Sequence, residues 1–165
     1  MLKINISGCK NKKLRDTLKQ VGVFVCNHMM SKRLVDKITI YVKVWSDPHG
    51  GDLGGDFGDC VWEDDPILPR EFTINLSTHN EKGQRLSHEF ICKTFIHELV
   101  HVKQHAKGEG YWYQTKDQVK WKGKIIKLSQ VNYWDYPWEW EAYGGEMCLY
   151  ELWKESLKNE PRSSS

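Results

Sequence analysis

The sequence predicts one α+β domain, in which a small, mainly antiparallel sheet packs on an N-terminal helix, a central helix and a C-terminal helix. Three observations predict it. Apolar residues recur at spacings of three and four over 12–30, 87–106 and 137–157, and they alternate with polar residues over 37–45 and 70–77. A chain of 165 residues and 19.4 kDa is also long enough to bury a proper core without disulfide staples. The expected domain is 1–158, followed by a polar tail over 159–165.

Charge and cysteine usage narrow the setting. The net charge is +2, from 24 basic and 22 acidic residues spread along the chain, which argues against nucleic acid or an anionic membrane as the main partner. Cys9, Cys26, Cys60, Cys92 and Cys148 are odd in number, widely spaced and without a C-x-x-C pair. That pattern suits reduced thiols in a cytoplasm better than a disulfide framework or a cysteine-rich zinc site. No stretch has the length of a membrane span or the apolar core of a signal peptide, and a cytoplasmic monomer is the expectation.

Taken in order, residues 2–6 read as a first strand. Leu14, Leu18, Val21, Val25 and Met29 then form one buried stripe of a first helix. Ile38, Ile40, Val42 and Val44 alternate with polar and aromatic residues, the signature of a strand with one buried side. The glycine- and aspartate-rich stretch 49–59 resembles a fragment of calcium-binding Gly-Asp repeats. Barely one copy is present, so a loop between strands is preferred to a calcium site. Val61-Trp62 reads as a brief strand, and Phe72, Ile74 and Leu76 mark a longer one. Ser87 is placed to cap a helix that ends near Ala106, before Gly108. An aromatic segment follows, with a short hairpin expected through Lys122-Gly123-Lys124. Pro137 then opens the last helix. Gly144-Gly145 inside that helix costs about 2 kcal/mol relative to two alanines, which makes sense if a neighbouring backbone approaches closely. Most of the eight Trp are expected in the core or lining a cleft.

The chemistry is concentrated in His97-Glu98-Leu99-Val100-His101, an H-E-x-x-H pattern inside the central helix. Two histidines four apart project from one helix face and can reach one zinc ion, and the intervening Glu98 stands beside the open coordination position as a general base. The ordinary alternative is a pair of surface histidines. Ile91, Phe95, Leu99 and Val102 give this helix a separate stripe on which to pack, so the histidines are left to face something else.

A catalytic zinc needs a third protein ligand. A straight helix carries His105 away from a metal bound one turn earlier. The metzincin extension H-E-x-x-H-x-x-G-x-x-H is absent, because Gln104 and Lys107 stand where Gly and His are required. H-E-L-V-H followed by a helix beginning P-W-E-W-E-A resembles the gluzincin arrangement of zincin metallopeptidases. The likeness is to small phage-type metallopeptidases and minimal gluzincin domains, and it covers about 70–150. It implies a zincin-like fold with Glu139 as third ligand, three residues before Ala142, and a host cytoplasm as the setting if the chain is phage-encoded. Glu141 remains the alternative ligand, and a first-turn carboxylate that caps its own helix is the ordinary reading of Glu139. The family aspartate that follows this alanine is replaced by Tyr143, which leaves the ligand-orienting hydrogen bonds unassigned.

The resemblance implies hydrolysis of a peptide or protein substrate. Zinc on His97, His101 and Glu139 would activate water and polarise the scissile carbonyl, with Glu98 accepting the water's proton. A tyrosine commonly assists the oxyanion in such enzymes. Tyr136 is the choice here, with Tyr133 and Tyr143 open. The family also implies that the strand before the motif helix, 70–77, is the sheet edge on which an extended substrate pairs. Two other readings stand beside this one, a metal-stabilised binding or regulatory module without catalysis, and a DNA-associated protease of the SprT-like group. The latter uses a third histidine where this chain offers glutamates.

Overall fold

The computed structural model describes residues 1–46, 57–113 and 115–159. Most of the Gly/Asp-rich stretch, with the calcium reading attached to it, and the tail from residue 160 lie outside them. Strand β1 (Lys3–Ser7) leads into helix α1 (Lys12–Met29), which Asn11 caps by accepting a hydrogen bond from Leu14 N. A short helix α2 (Lys32–Val35) precedes strand β2 (Thr39–Trp45), and strands β3 (Gly58–Val61) and β4 (Glu71–Ser77) complete one sheet in the order β1-β2-β4-β3.

The fold is α+β, but this sheet is not mainly antiparallel. β1 pairs parallel with β2 and β2 with β4, and only β3 runs antiparallel, against β4. The physical reason is the crossover: a helix of 18 residues separates β1 from β2 and returns the chain to the end where it began. Burial still alternates along β2 and β4, because α1 and the motif helix cover one face and leave Tyr41 and Trp45 half exposed on the other. β4 is internal, so the edge beside the motif helix is β3 and not the strand at 70–77.

Helix α3 (His88–Ala106) carries the paired histidines and starts at Ser87, whose hydroxyl accepts from Phe90 N. Its buried Ile91, Phe95, Leu99 and Val102 join Leu14, Leu18 and Val21 of α1 and Phe72, Ile74 and Leu76 of β4 in one core. Strands β5 (Gly110–Trp112), β6 (Gln118–Trp121) and β7 (Lys124–Lys127) form a separate antiparallel sheet. The expected hairpin joins β6 to β7: Lys122 and Gly123 take φ of 44° and 86°, the paired positive values of a tight two-residue turn. Val119 and Trp121 of this sheet close over Trp138 at the start of helix α4 (Pro137–Asn159). The tryptophans divide more evenly than expected. Trp121, Trp138 and Trp153 are buried, whereas Trp134 and Trp140 are well exposed.

The glycine pair in α4 serves two different ends. A Cβ at Gly145 would lie 2.9 Å from Val100 Cγ2 on α3, so that glycine permits the close approach of the two site-bearing helices. Gly144 faces open space. Gly145→Ala is therefore expected to destabilise the protein by about 1–3 kcal/mol through overpacking. Gly144→Ala should stabilise it by about 0.5–1 kcal/mol through helix propensity. Urea unfolding midpoints check both, and shifts of the same sign would refute this division of roles.

Candidate metal centre

The site lies where α3 meets the first turn of α4. On α3 the apolar stripe fixes the rotation of the helix, and His97 and His101, one turn apart, face α4 from the neighbouring side. On α4, Pro137 sets the helix start and places Glu139 in the first turn. Gln104, fully buried on α3, ties the two helices by donating from Nε2 to Trp138 O at 3.0 Å and to Glu141 Oε2 at 2.9 Å.

Three donor groups converge. His97 Nε2 lies 3.2 Å from His101 Nε2 and 3.3 Å from Glu139 Oε2, and His101 Nε2 lies 3.6 Å from Glu139 Oε1. Ligands about 2.0–2.1 Å from a tetrahedral ion are separated by about 3.3–3.4 Å. The two contacts of His97 Nε2 are close to that spacing, whereas His101 meets the other carboxylate oxygen at 3.6 Å, and one donor atom from each residue lies within 4.8 Å of the others. Glu139 Oε2 is buried without a hydrogen-bond partner of good geometry, an orphaned acceptor that a cation would satisfy. His97, His101 and Glu139 can hold a metal ion.

The far side of each imidazole is also held. His97 Nδ1 lies 3.2 Å from Glu146 Oε2, and His101 Nδ1 lies 2.8 Å from Gln104 Oε1. With acceptors opposite, each Nδ1 donates, and each Nε2 is turned toward Glu139. Burial works against a charged imidazole at His97, but hydrogen bonds to Glu139 and Glu146 and the charge of Glu98 outweigh it and raise the pKa to about 9. At His101 burial prevails and holds the ring neutral. The Glu139 carboxyl is kept below its ordinary range: burial opposes this, and the two histidines and Tyr133 overcome it. At neutral pH the raised pKa keeps His97 protonated. A metal ion must displace that proton, so its affinity rises with pH up to about 9.

The alternatives left open by the sequence separate here. Glu141 faces away, with Oε1 2.7 Å from Lys103 Nζ and Oε2 bound to Gln104. His105 is not a donor to the cluster. Its ring packs against Trp62 at 3.6 Å and Trp112 at 4.5 Å, and burial is the main cause that lowers its pKa to about 3. Tyr136 does not reach the site, and its choice as the assisting tyrosine is corrected. Its ring stacks on Trp138 at 4.7 Å and its hydroxyl donates to Leu128 O at 3.4 Å, within the aromatic cluster under the second sheet. Tyr133 and Glu139 line the same cleft, and Tyr143 packs edge-on against His97 at 4.6 Å.

A cleft of about 480 Å³ opens over the donors, and Glu98 forms part of its wall. Glu98 has little solvent exposure and faces β3: a Cβ at Gly58 would come 3.1 Å from Glu98 Oε1, and the Glu98 charge acts on Cys60, whose thiol is pushed well up mainly by burial. Sequence reasoning missed Glu146 and Gly58. Glu146 had a signal, since it lies two turns beyond Glu139 and so on the same face of α4. Gly58 had none, because only the tertiary contact with α3 gives it meaning.

No protein-family model matches the chain, and no curated protein or solved structure matches it at a significant level.

Proposed function

We propose that this protein is a zinc-dependent peptidase of the gluzincin kind, hydrolysing peptide bonds in a peptide or protein substrate. The observation that carries the reading is the convergence of His97 Nε2, His101 Nε2 and the Glu139 carboxylate in an open cleft that Glu98 also lines. Two imidazole nitrogens and a carboxylate oxygen within 4.8 Å of one another suit zinc better than calcium or magnesium, which favour oxygen ligands. Zinc held there would supply a Lewis acid for the scissile carbonyl and acidify water.

The chain's own groups account for the rest. Glu98 takes the proton from the attacking water and delivers it to the leaving amine. Tyr133, whose hydroxyl stays protonated through burial and the nearby charge of Glu139, can donate to the carbonyl oxygen as charge develops on it. Glu146 and Gln104 keep the two imidazoles oriented. Among the described residues β3 pairs on one side only, and its other side is the edge on which an extended substrate would add. A closed structural zinc site would use four protein ligands and no carboxylate beside them, so the three-donor set and Glu98 favour hydrolysis over a metal-stabilised module.

The test is metal removal. Elemental analysis is expected to give one zinc per chain, dialysis against a chelator to abolish cleavage of a mixed peptide library, and one equivalent of zinc to restore it. A folded, zinc-loaded protein that cleaves no member of the library would leave only a metal-binding module.

A further inference from the structure

Resting on the peptidase reading, we propose that the cleft selects its substrate by an aromatic or large apolar side chain beside the scissile bond, and disfavours an acidic one there. The first observation is the wall chemistry. Four aromatic rings line the cleft over the metal donors: Phe57 and Phe90 on the side of β3 and the start of α3, and Tyr133 and Tyr143 on the side of α4. Phe57 and Phe90 pack edge to face at 5.0 Å, so one braces the other, and Tyr143 is braced against the His97 ring. These rings are fixed in place and still open: Phe90, Tyr143 and Tyr133 are 39%, 41% and 48% exposed. Aromatic side chains have about 150–250 Å² to bury, so three half-exposed rings around one cleft are a surface waiting for an apolar group. At about 480 Å³ the cleft has the volume of an ordinary ligand site.

The second observation is charge. Asp59, Glu98, Glu139 and Glu146 line the same cleft, and Lys93 is its one lining lysine or arginine among the described residues. Lys93 is already engaged, 2.6 Å from Glu89 Oε1. A divalent ion offsets two of the four carboxylates, and the remaining field repels an acidic side chain. Apolar walls and an acidic floor together define the preference.

The experiment uses the zinc-loaded protein and three metal-chelating peptide hydroxamates that differ in one side chain, Phe, Gly or Glu, with binding measured by calorimetry. The Phe compound is expected to bind about 10- to 100-fold more tightly than the Gly compound, the worth of burying one ring, and the Glu compound more weakly than Gly. Phe90→Ala, on an exposed ring that touches none of the metal donors, should reduce the Phe advantage to less than about threefold while leaving Gly binding unchanged. Tyr143→Ala should reduce it from the opposite wall. Equal binding of the three compounds, or a Phe advantage that survives in both variants, overturns the subsite and leaves the peptidase reading intact. Failure of all three to bind while zinc is present overturns both.

Discussion

Glu98→Gln is expected to lower peptide hydrolysis by at least about 100-fold, the order associated with a lost general base, while one zinc stays bound and the unfolding midpoint stays near that of the wild type. Glutamine matches glutamate in shape but cannot accept the water's proton. Glu98 is not among the three converging donors, so metal binding has no direct reason to fall. The room it occupies is set by its neighbours, since Gly58 on β3 clears the space that a side chain would otherwise contest. Hydrolysis rates and zinc stoichiometry measured on the same preparation decide the matter. Unchanged hydrolysis would remove the mechanism, and loss of zinc together with activity would show that Glu98 maintains the site rather than working in it.

The parts of this site that could be read from sequence are those whose geometry is local. His97, Glu98 and His101 share one helix, and the 3.6-residue period fixes their relation without knowledge of anything else. Glu139 is reached only through the likeness of P-W-E-W-E-A to the ligand helix of gluzincins, because a helix start at Pro137 does not by itself separate Glu139 from Glu141. The orientation of the sheet was harder. Alternation in β2 and β4 reveals which side is buried but not which strand lies alongside or in which direction, although the order strand, long helix, strand at 3–45 carried the signal of a parallel crossover. Tyr133 and Tyr136 show the limit most sharply. They are three residues apart around a 3₁₀ turn at Tyr133–Asp135, and one lines the cleft with Glu139 while the other stacks on Trp138. Spacing along the chain cannot separate them, because the turn is fixed by packing of the second sheet against Trp138.

Glutamates in one stretch of α4 should respond to alanine substitution in a definite order. Glu139→Ala removes one of three donors, and zinc affinity is expected to fall by about 100- to 1,000-fold, roughly one ligand's share of a 10–16 kcal/mol binding energy. Glu146→Ala leaves all three donors but releases His97 Nδ1, and a loss of about 10- to 100-fold is expected, as for other groups that orient a ligating histidine. Glu141→Ala acts one step further away. Its carboxylate holds Gln104, which in turn holds His101, and Gln104 keeps its bond to Trp138 O when Glu141 is gone. A loss below about tenfold is expected, with some destabilisation because Lys103 loses one partner and keeps Glu109 at 2.9 Å. Competition against a chromophoric chelator at pH 7 measures all three variants on one scale. A larger loss for Glu141 than for Glu139 would transfer the ligand role and require the start of α4 to turn. Equal losses for Glu139 and Glu146 would make both carboxylates ligands and leave His97 without its orienting partner.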